Sequence, residues 1–297
     1  GMVRHVNIIK AKKRPLKVSY LREIIGISPV FFIDNFDEND LIKISNIDYY
    51  DVAWCTPVGV MGILHACKKV GIFLSKAIAI GHNDAKVSLY WDGFKQLFRG
   101  RIGIDWIRVF QGLRIPWIWM YERRYLSGVD LIHVQTKLEK KRMLCILKKN
   151  TKTKIILASN GINKSLKEVE PRIKKNNRIL FMTHLTGVRG KEAEWFLLNV
   201  WPDVLISNVN AELLVVGLPP RKGSKLNDLI HSSVKICGFV DDLTTLMRVV
   251  DILVVPTLHG TGWVNRLSDG LVAGLPIVAS PESLATINNI DIGVNAF

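Results

Sequence analysis

From Arg178 onward the chain alternates short, unbroken apolar runs with longer polar stretches that carry apolar residues at helical spacing. The runs cover residues 179–182, 213–216, 234–237, 252–255 and 276–279. The stretches between them cover 191–200, 224–231, 242–249 and 264–273. A strand followed by a helix, repeated, builds a parallel sheet. Strands covered by helices on both faces read as continuous Val, Ile and Leu instead of alternating with polar residues. The second half therefore predicts a doubly wound, Rossmann-like parallel sheet.

The first half is less regular. Residues 29–33, 52–55, 77–80, 131–134 and 155–157 have strand character, with helices near 59–70 and 114–126, which predicts a second α/β domain. A polar Lys/Glu/Pro stretch at 167–177 separates the halves. The chain of 297 residues is long enough for two cores. The expectation is residues 1–170 as one Rossmann-like domain and 171–297 as another, facing each other across a cleft.

Composition narrows the function. With 48% hydrophobic and 23% charged residues, the chain is too apolar to be disordered. Cys55, Cys67, Cys145 and Cys237 are far apart, as expected for reduced thiols in a cytoplasmic protein. No charged-then-apolar leader opens the chain, and the longest apolar stretch, 53–67, contains Pro57 and His65, which argues against a membrane span. A formal net charge of +15 calls for an anionic partner: nucleic acid, a phosphorylated substrate or the cytoplasmic leaflet. No recognition helix, RNA-binding aromatic signature or zinc finger points to nucleic acid. Lys140, Lys141, Arg142, Lys148 and Lys149 read as the solvated face of a helix whose apolar stripe is Met143, Leu144, Ile146 and Leu147.

In a doubly wound sheet, ligands bind beyond the carboxyl ends of the strands. There the sequence reads THLTGVRGK after the first run, GLPP after the second, GFVDD after the third and PTLHGTG after the fourth. Together with HVQT and ASNGI, which close the first domain, and the terminal NRLSDGLVAGLPIVAS, these blocks resemble the family-four glycosyltransferases of GT-B fold, especially the bacterial polysaccharide-biosynthesis members. The resemblance runs from about Asp51 to Ser280. The family's first strand and its glycine-rich loop are not recognisable. The chain opens instead with a basic stretch at 3–18, so the N-terminal domain reads as incomplete.

The resemblance implies a transferase that takes a sugar from a nucleotide-sugar, a UDP- or GDP-sugar, and passes it to a glycan or lipid-linked acceptor with retention of configuration. It implies no cofactor beyond the donor and no metal. The Asp-x-Asp of metal-dependent transferases is absent, and Asp241-Asp242 reads as a helix cap.

The donor residues have a physical reading as well. Gly262 and the start of a helix near Val264 would turn free amides and the positive end of the helix dipole toward phosphate oxygens. Arg266 adds fixed charge, and Asp269, three residues on, can accept from ribose hydroxyls. The bland alternative is an exposed Arg–Asp pair contributing a few tenths of a kcal/mol. Many family members carry two glutamates eight positions apart; here those places hold Thr261 and Asp269, and Arg266 matches a basic residue that some polysaccharide-type members keep. Arg189 and Lys191 resemble the family's cations for the departing pyrophosphate. Gly217, Gly238, Phe239 and Val240 resemble the strand-end loops that receive the nucleotide, although Phe239 can equally be core.

On the acceptor side, His82 and Asp84 resemble the segment that holds a polar residue near the anomeric carbon, where either could orient an acceptor hydroxyl. His-Asn-Asp is also an ordinary turn. Between residues 91 and 119, Trp91, Phe94, Phe98, Trp106, Phe110, Trp117 and Trp119 interleave with Lys95, Arg99, Arg101, Arg108 and Arg114. This is the pattern of a surface that contacts an acceptor or the inner face of the membrane, or of an aromatic core beneath a basic face. A nucleotide-sugar epimerase, with His184 and His259 as its acid and base, and a basic, catalytically inactive binding protein are the competing readings.

Overall fold

A computed structural model describes residues 49–55, 64, 67, 71, 73–80, 91, 94–95, 106–169, 176–258 and 262–287. The expected strand at 29–33, and His82 and Asp84, lie outside the described residues. The chain divides at Ser159 and Asn160 into two compact units.

The first unit holds a parallel sheet in the order β1 (Tyr49–Cys55), β2 (Phe73–Ile80), β3 (Leu131–Val134), β4 (Lys154–Leu157). Between β2 and β3 run α1 (Trp106–Leu113) and α2 (Ile115–Leu126), and between β3 and β4 runs α3 (Lys137–Ile146). The core gathers Cys55, Leu126, Val129, Ile132, Val134, Met143, Ile146 and Leu147. Met143, Ile146 and Leu147 follow the three-to-four-residue spacing of one helix face, whereas Leu144 falls off that stripe and is exposed. Helix α3 starts with a capping box. Thr136 Oγ1 accepts from the Glu139 amide at 2.9 Å, and Glu139 Oε2 accepts from the Thr136 amide at 3.2 Å.

The second unit holds five parallel strands in the order β7-β6-β5-β8-β9: β5 (Arg178–Met182), β6 (Glu212–Val216), β7 (Val234–Gly238), β8 (Ile252–Val255) and β9 (Ile277–Ala279). Helices α4 (Gly187–Asn199) and α5 (Trp201–Ser207) follow β5. Helix α6 (Leu243–Met247) precedes β8, α7 (Asn265–Val272) joins β8 to β9, and α8 (Pro281–Leu284) follows β9. Residues on the strands alternate between two apolar cores. Phe181, Leu213, Val215 and Val254 pack with Phe196, Leu197 and Trp201 on one side. Leu180, Leu214, Leu253 and Val255 pack with Met247, Leu267 and Leu284 on the other. Burial on both faces is why these strands read as unbroken apolar runs.

The segment expected to be helical at 224–231 is only a 3-10 turn, Lys225–Leu229, which buries Leu226 alone. Pro276 lies outside β9 because it has no N–H to give. Its carbonyl still accepts from the Leu253 amide at 2.9 Å. A second 3-10 turn, Lys164–Glu168, sinks Leu166 completely into the core that holds Leu267, so the chain just past Asn160 packs as part of the second unit.

Candidate active site

The strand order makes one place in the second unit special. From β5 the chain winds outward through β6 to β7, then crosses back to lay β8 against the other side of β5, in register at Ile179 with Ile252 and Leu180 with Leu253. Connections leave the ends of β5 and β8 toward opposite faces of the sheet and open a crevice between them, where open α/β sheets bind their ligands.

Two arginines meet there. Arg189 is in the first turn of α4 and Arg266 in the first turn of α7. Arg266 Nη1 donates to the Met182 carbonyl at 2.9 Å, and its Nη2 donates to Thr257 Oγ1 at 2.5 Å. Arg189 Nη1 donates to Glu192 Oε2 at 3.0 Å and reaches the same Thr257 hydroxyl at 3.5 Å. Glu192 is buried, and its other oxygen accepts from the Leu258 amide at 3.2 Å, fixing the loop after β8. Burial, with the positive charge of Arg189 adding to it, pulls the Arg266 guanidinium down to about 10, against a smaller opposing effect from Glu192. Among the described residues, the Nε of Arg266 and the buried hydroxyl of Thr183, just past β5, have no hydrogen-bond partner.

Local chemistry opposes this arrangement at every level. The first turn of a helix is its positive end, where cations are disfavoured, and its four leading amides need acceptors. Neither Thr186 before α4 nor Val264 before α7 gives a side-chain cap, whereas Thr136, Asp242 and Ser280 cap α3, α6 and α8. Helices α2 and α5 also start uncapped, each with a proline in its first turn. Two arginines, two uncapped helix starts and one carboxylate leave a surplus of positive charge between β5 and β8, the electrostatics of an anion site.

The remaining expected residues take varied places. Asp269 is half-buried one turn along α7 from Arg266, and burial raises its carboxyl above the usual range. Arg266 turns to the ends of β5 and β8 instead of pairing with Asp269, so the exposed Arg–Asp pair does not form. Gly262 is in the loop leading into α7. Gly217 follows β6 with φ of +142°, and a Cβ there would come within 2.2 Å of the Thr183 carbonyl oxygen. Gly238 ends β7 with φ of +68°, and its carbonyl accepts from the Gly217 amide at 2.8 Å. Phe239 is 87% exposed beyond that strand and is no part of the core; Val240, beside it, is half-buried.

Lys191, two residues past Arg189, is carried round the helix away from the Arg189–Thr257–Arg266 group. It lines a hollow with Arg221, Lys222 and Ser224. Asp242 caps α6, its carboxylate accepting from the Thr244 amide at 2.9 Å and from the Thr245 hydroxyl, contacts that hold its pKa below the usual carboxylate range.

Thr257 and Glu192 escaped the sequence reading. Glu192 shares the core-facing stripe of α4 with Ala193 and Phe196, and a carboxylate three residues after an arginine on such a stripe is the signal that could have found it.

Residues 176–296 match the family model described as glycosyl transferases group 1. Solved structures similar to this chain include HepE of Anabaena in complex with UDP and glucose, at TM-score 0.58 and 13% identity, covering 87% of this chain and 67% of HepE. TarM matches at TM-score 0.57 and 10% identity over 86% of this chain and 47% of its own length. The pneumococcal O-GlcNAc transferase GtfA, in complex with UDP and GlcNAc, matches at 0.55 and 12% over 84% of this chain and 45% of GtfA. At these identities the likeness establishes the fold, GT-B. The chain thus spans about two thirds of HepE and just under half of TarM and GtfA. No curated protein sequence matches it.

Proposed function

We propose that this chain is a glycosyltransferase that takes a sugar from a UDP- or GDP-sugar and transfers it to a glycan or lipid-linked acceptor in surface polysaccharide biosynthesis. Transfer proceeds with retention and without a metal ion, in the cytoplasm at the inner face of the membrane. The observation that carries the reading is the pair of arginines in the first turns of two uncapped helices at the β5–β8 crevice. In this reading Arg189, Arg266 and the leading amides of α4 and α7 hold the diphosphate. As the glycosidic bond to the donor phosphate breaks, charge develops on that phosphate oxygen, and cations already in place stabilise it where it forms. Asp269 accepts from the ribose hydroxyls, Gly238, Phe239 and Val240 line the place of the base, and Gly217 and Gly262 keep side chains clear of the nucleotide. Lys191 contributes longer-range positive charge. His82 or Asp84 orients the acceptor hydroxyl, whose proton passes to the departing phosphate.

Calorimetric titration with UDP, GDP and ADP tests the reading and selects the base. Micromolar binding of one of them is expected, and no binding of any would overturn it. Donor and acceptor are then incubated with and without chelator, and the product anomer is read by NMR. Loss of activity with chelator, restored by manganese, would refute metal independence. A new sugar nucleotide formed from donor alone would make the protein an epimerase.

A further inference from the structure

Helix α2 is oriented with Ile118, Tyr121, Glu122 and Leu126 inward. On the surface of a soluble protein the opposite face is normally polar. Here it carries Trp117, Trp119 and Met120, all exposed, with Arg123 and Arg124 in the last turn. Leu113, 65% exposed at the end of α1, and the half-exposed Phe110 one turn before it continue the apolar surface. The segment around Trp91 joins it: the ring of Phe94 is packed so closely on α1 that a Cβ on Gly112 would come within 2.2 Å of it, and Trp91 stacks on Phe94 with centroids 6.4 Å apart.

Three cations of this surface lie on its rings. Arg123 is 4.7 Å from the Trp119 centroid, Arg114 5.5 Å from Phe110 and Lys95 5.2 Å from Trp91. Residues 106–126 contain four arginines and one carboxylate, Glu122, which is fully buried. No helix among the described residues is long and apolar enough to cross a membrane.

Exposed tryptophans rimmed by cations that can ride above them suit the headgroup region of a bilayer, where rings enter the interface and arginines meet phosphates. A second copy of the same surface fits poorly, because arginines would face arginines and residues 106–126 offer no exposed carboxylate to pair with them. We propose that α1, the outer face of α2 and Trp91 form a docking surface for an anionic lipid bilayer. It supplies the membrane contact invoked in the proposed function and needs no nucleotide.

The test is sedimentation of the full chain with vesicles of neutral phosphatidylcholine, alone or mixed with phosphatidylglycerol, in the absence of any sugar donor. Failure here therefore leaves the transferase reading standing. The parent is expected to bind the anionic vesicles, to bind neutral ones far more weakly, and to be released by roughly 1 M salt as screening tightens. Arg123→Gln with Arg124→Gln should cut partitioning into anionic vesicles roughly thirty-fold, each cation being worth about fivefold at such a surface. Trp117→Ser with Trp119→Ser should weaken binding to a similar extent. Because all four side chains are at least partly exposed, circular dichroism of both variants should match the parent. Equal binding to neutral and anionic vesicles, or parent-like binding by both folded variants, would overturn the proposal. So would a concentration-dependent dimer that the tryptophan variant abolishes.

Discussion

Arg266→Gln separates the cost of the charge at the β5–β8 crevice from its use. A guanidinium drawn down to about 10 by burial and by Arg189 is disfavoured as a cation by roughly 3 kcal/mol. Its hydrogen bonds to the Met182 carbonyl and the Thr257 hydroxyl return about 1 kcal/mol each. Glutamine removes the charge and keeps one amide donor, so the variant should be more stable than the parent by about 1–2 kcal/mol at neutral pH, measured by urea titration. Nucleoside diphosphate binding should move the other way, weakening by about 1–3 kcal/mol, or tenfold or more, while binding of the bare nucleoside stays unchanged. Opposite signs for stability and affinity mark a group kept for ligand rather than for fold. A variant destabilised by more than about 2 kcal/mol, or one that loses equal affinity for uridine and for UDP, would refute the reasoning.

Asp269→Asn should stabilise the chain at neutral pH, because burial raises the folded carboxyl above its unfolded value and the charged form is the disfavoured one. Denaturation against pH should show the gain vanishing as pH falls toward 3.8, while calorimetry shows UDP or GDP binding weakened tenfold or more. Glu212 accepts from Arg178 at 3.0 Å and from Lys235 at 2.5 Å, and these bonds hold its carboxyl below the usual range. Its contribution is complete above the unfolded value of 4.5 and is lost as pH falls through the lower folded one, so Glu212→Gln should flatten the acid limb of the stability profile. Gly217→Ala should cost about 2–4 kcal/mol in thermal unfolding, since both its φ and the Thr183 carbonyl oppose a Cβ.

Much of the second unit is written into its apolar runs. Residues 179–182, 213–216 and 252–255 belong to strands buried on both faces, and an unbroken apolar run of that length between polar stretches specifies little but a covered strand. Helix α5 was invisible because Trp201 and Pro202 continue almost directly from α4 with no polar break. In the site, Arg266 and Asp269 were legible from their spacing, but the side chain of Arg266 was not. Spacing places both residues on one helix face and cannot tell that the guanidinium bonds instead to the carbonyl of Met182, a neighbour 84 positions earlier in the chain. Glu192 and Thr257 were hidden for the same reason, as their partners come from the loop after β8 and from α4 respectively.

The crossover that opens the crevice also sets when it can exist. Arg178 reaches Glu212 across 34 positions of chain, but its amide meets the Asp251 carboxylate only across 73. Closing the longer loop costs more chain entropy before any contact repays it. Strands β5, β6 and β7 are thus expected to assemble first, with β8 docking late and bringing Thr257 and Arg266 to Arg189 in the same step. Pulse-labelled hydrogen exchange would show the Asp251 amide, which donates to the Arg178 carbonyl at 2.7 Å, protected after the Glu212 amide, which donates to the Asn177 carbonyl at 2.8 Å, and nucleotide added during refolding would slow unfolding without hastening the early phase.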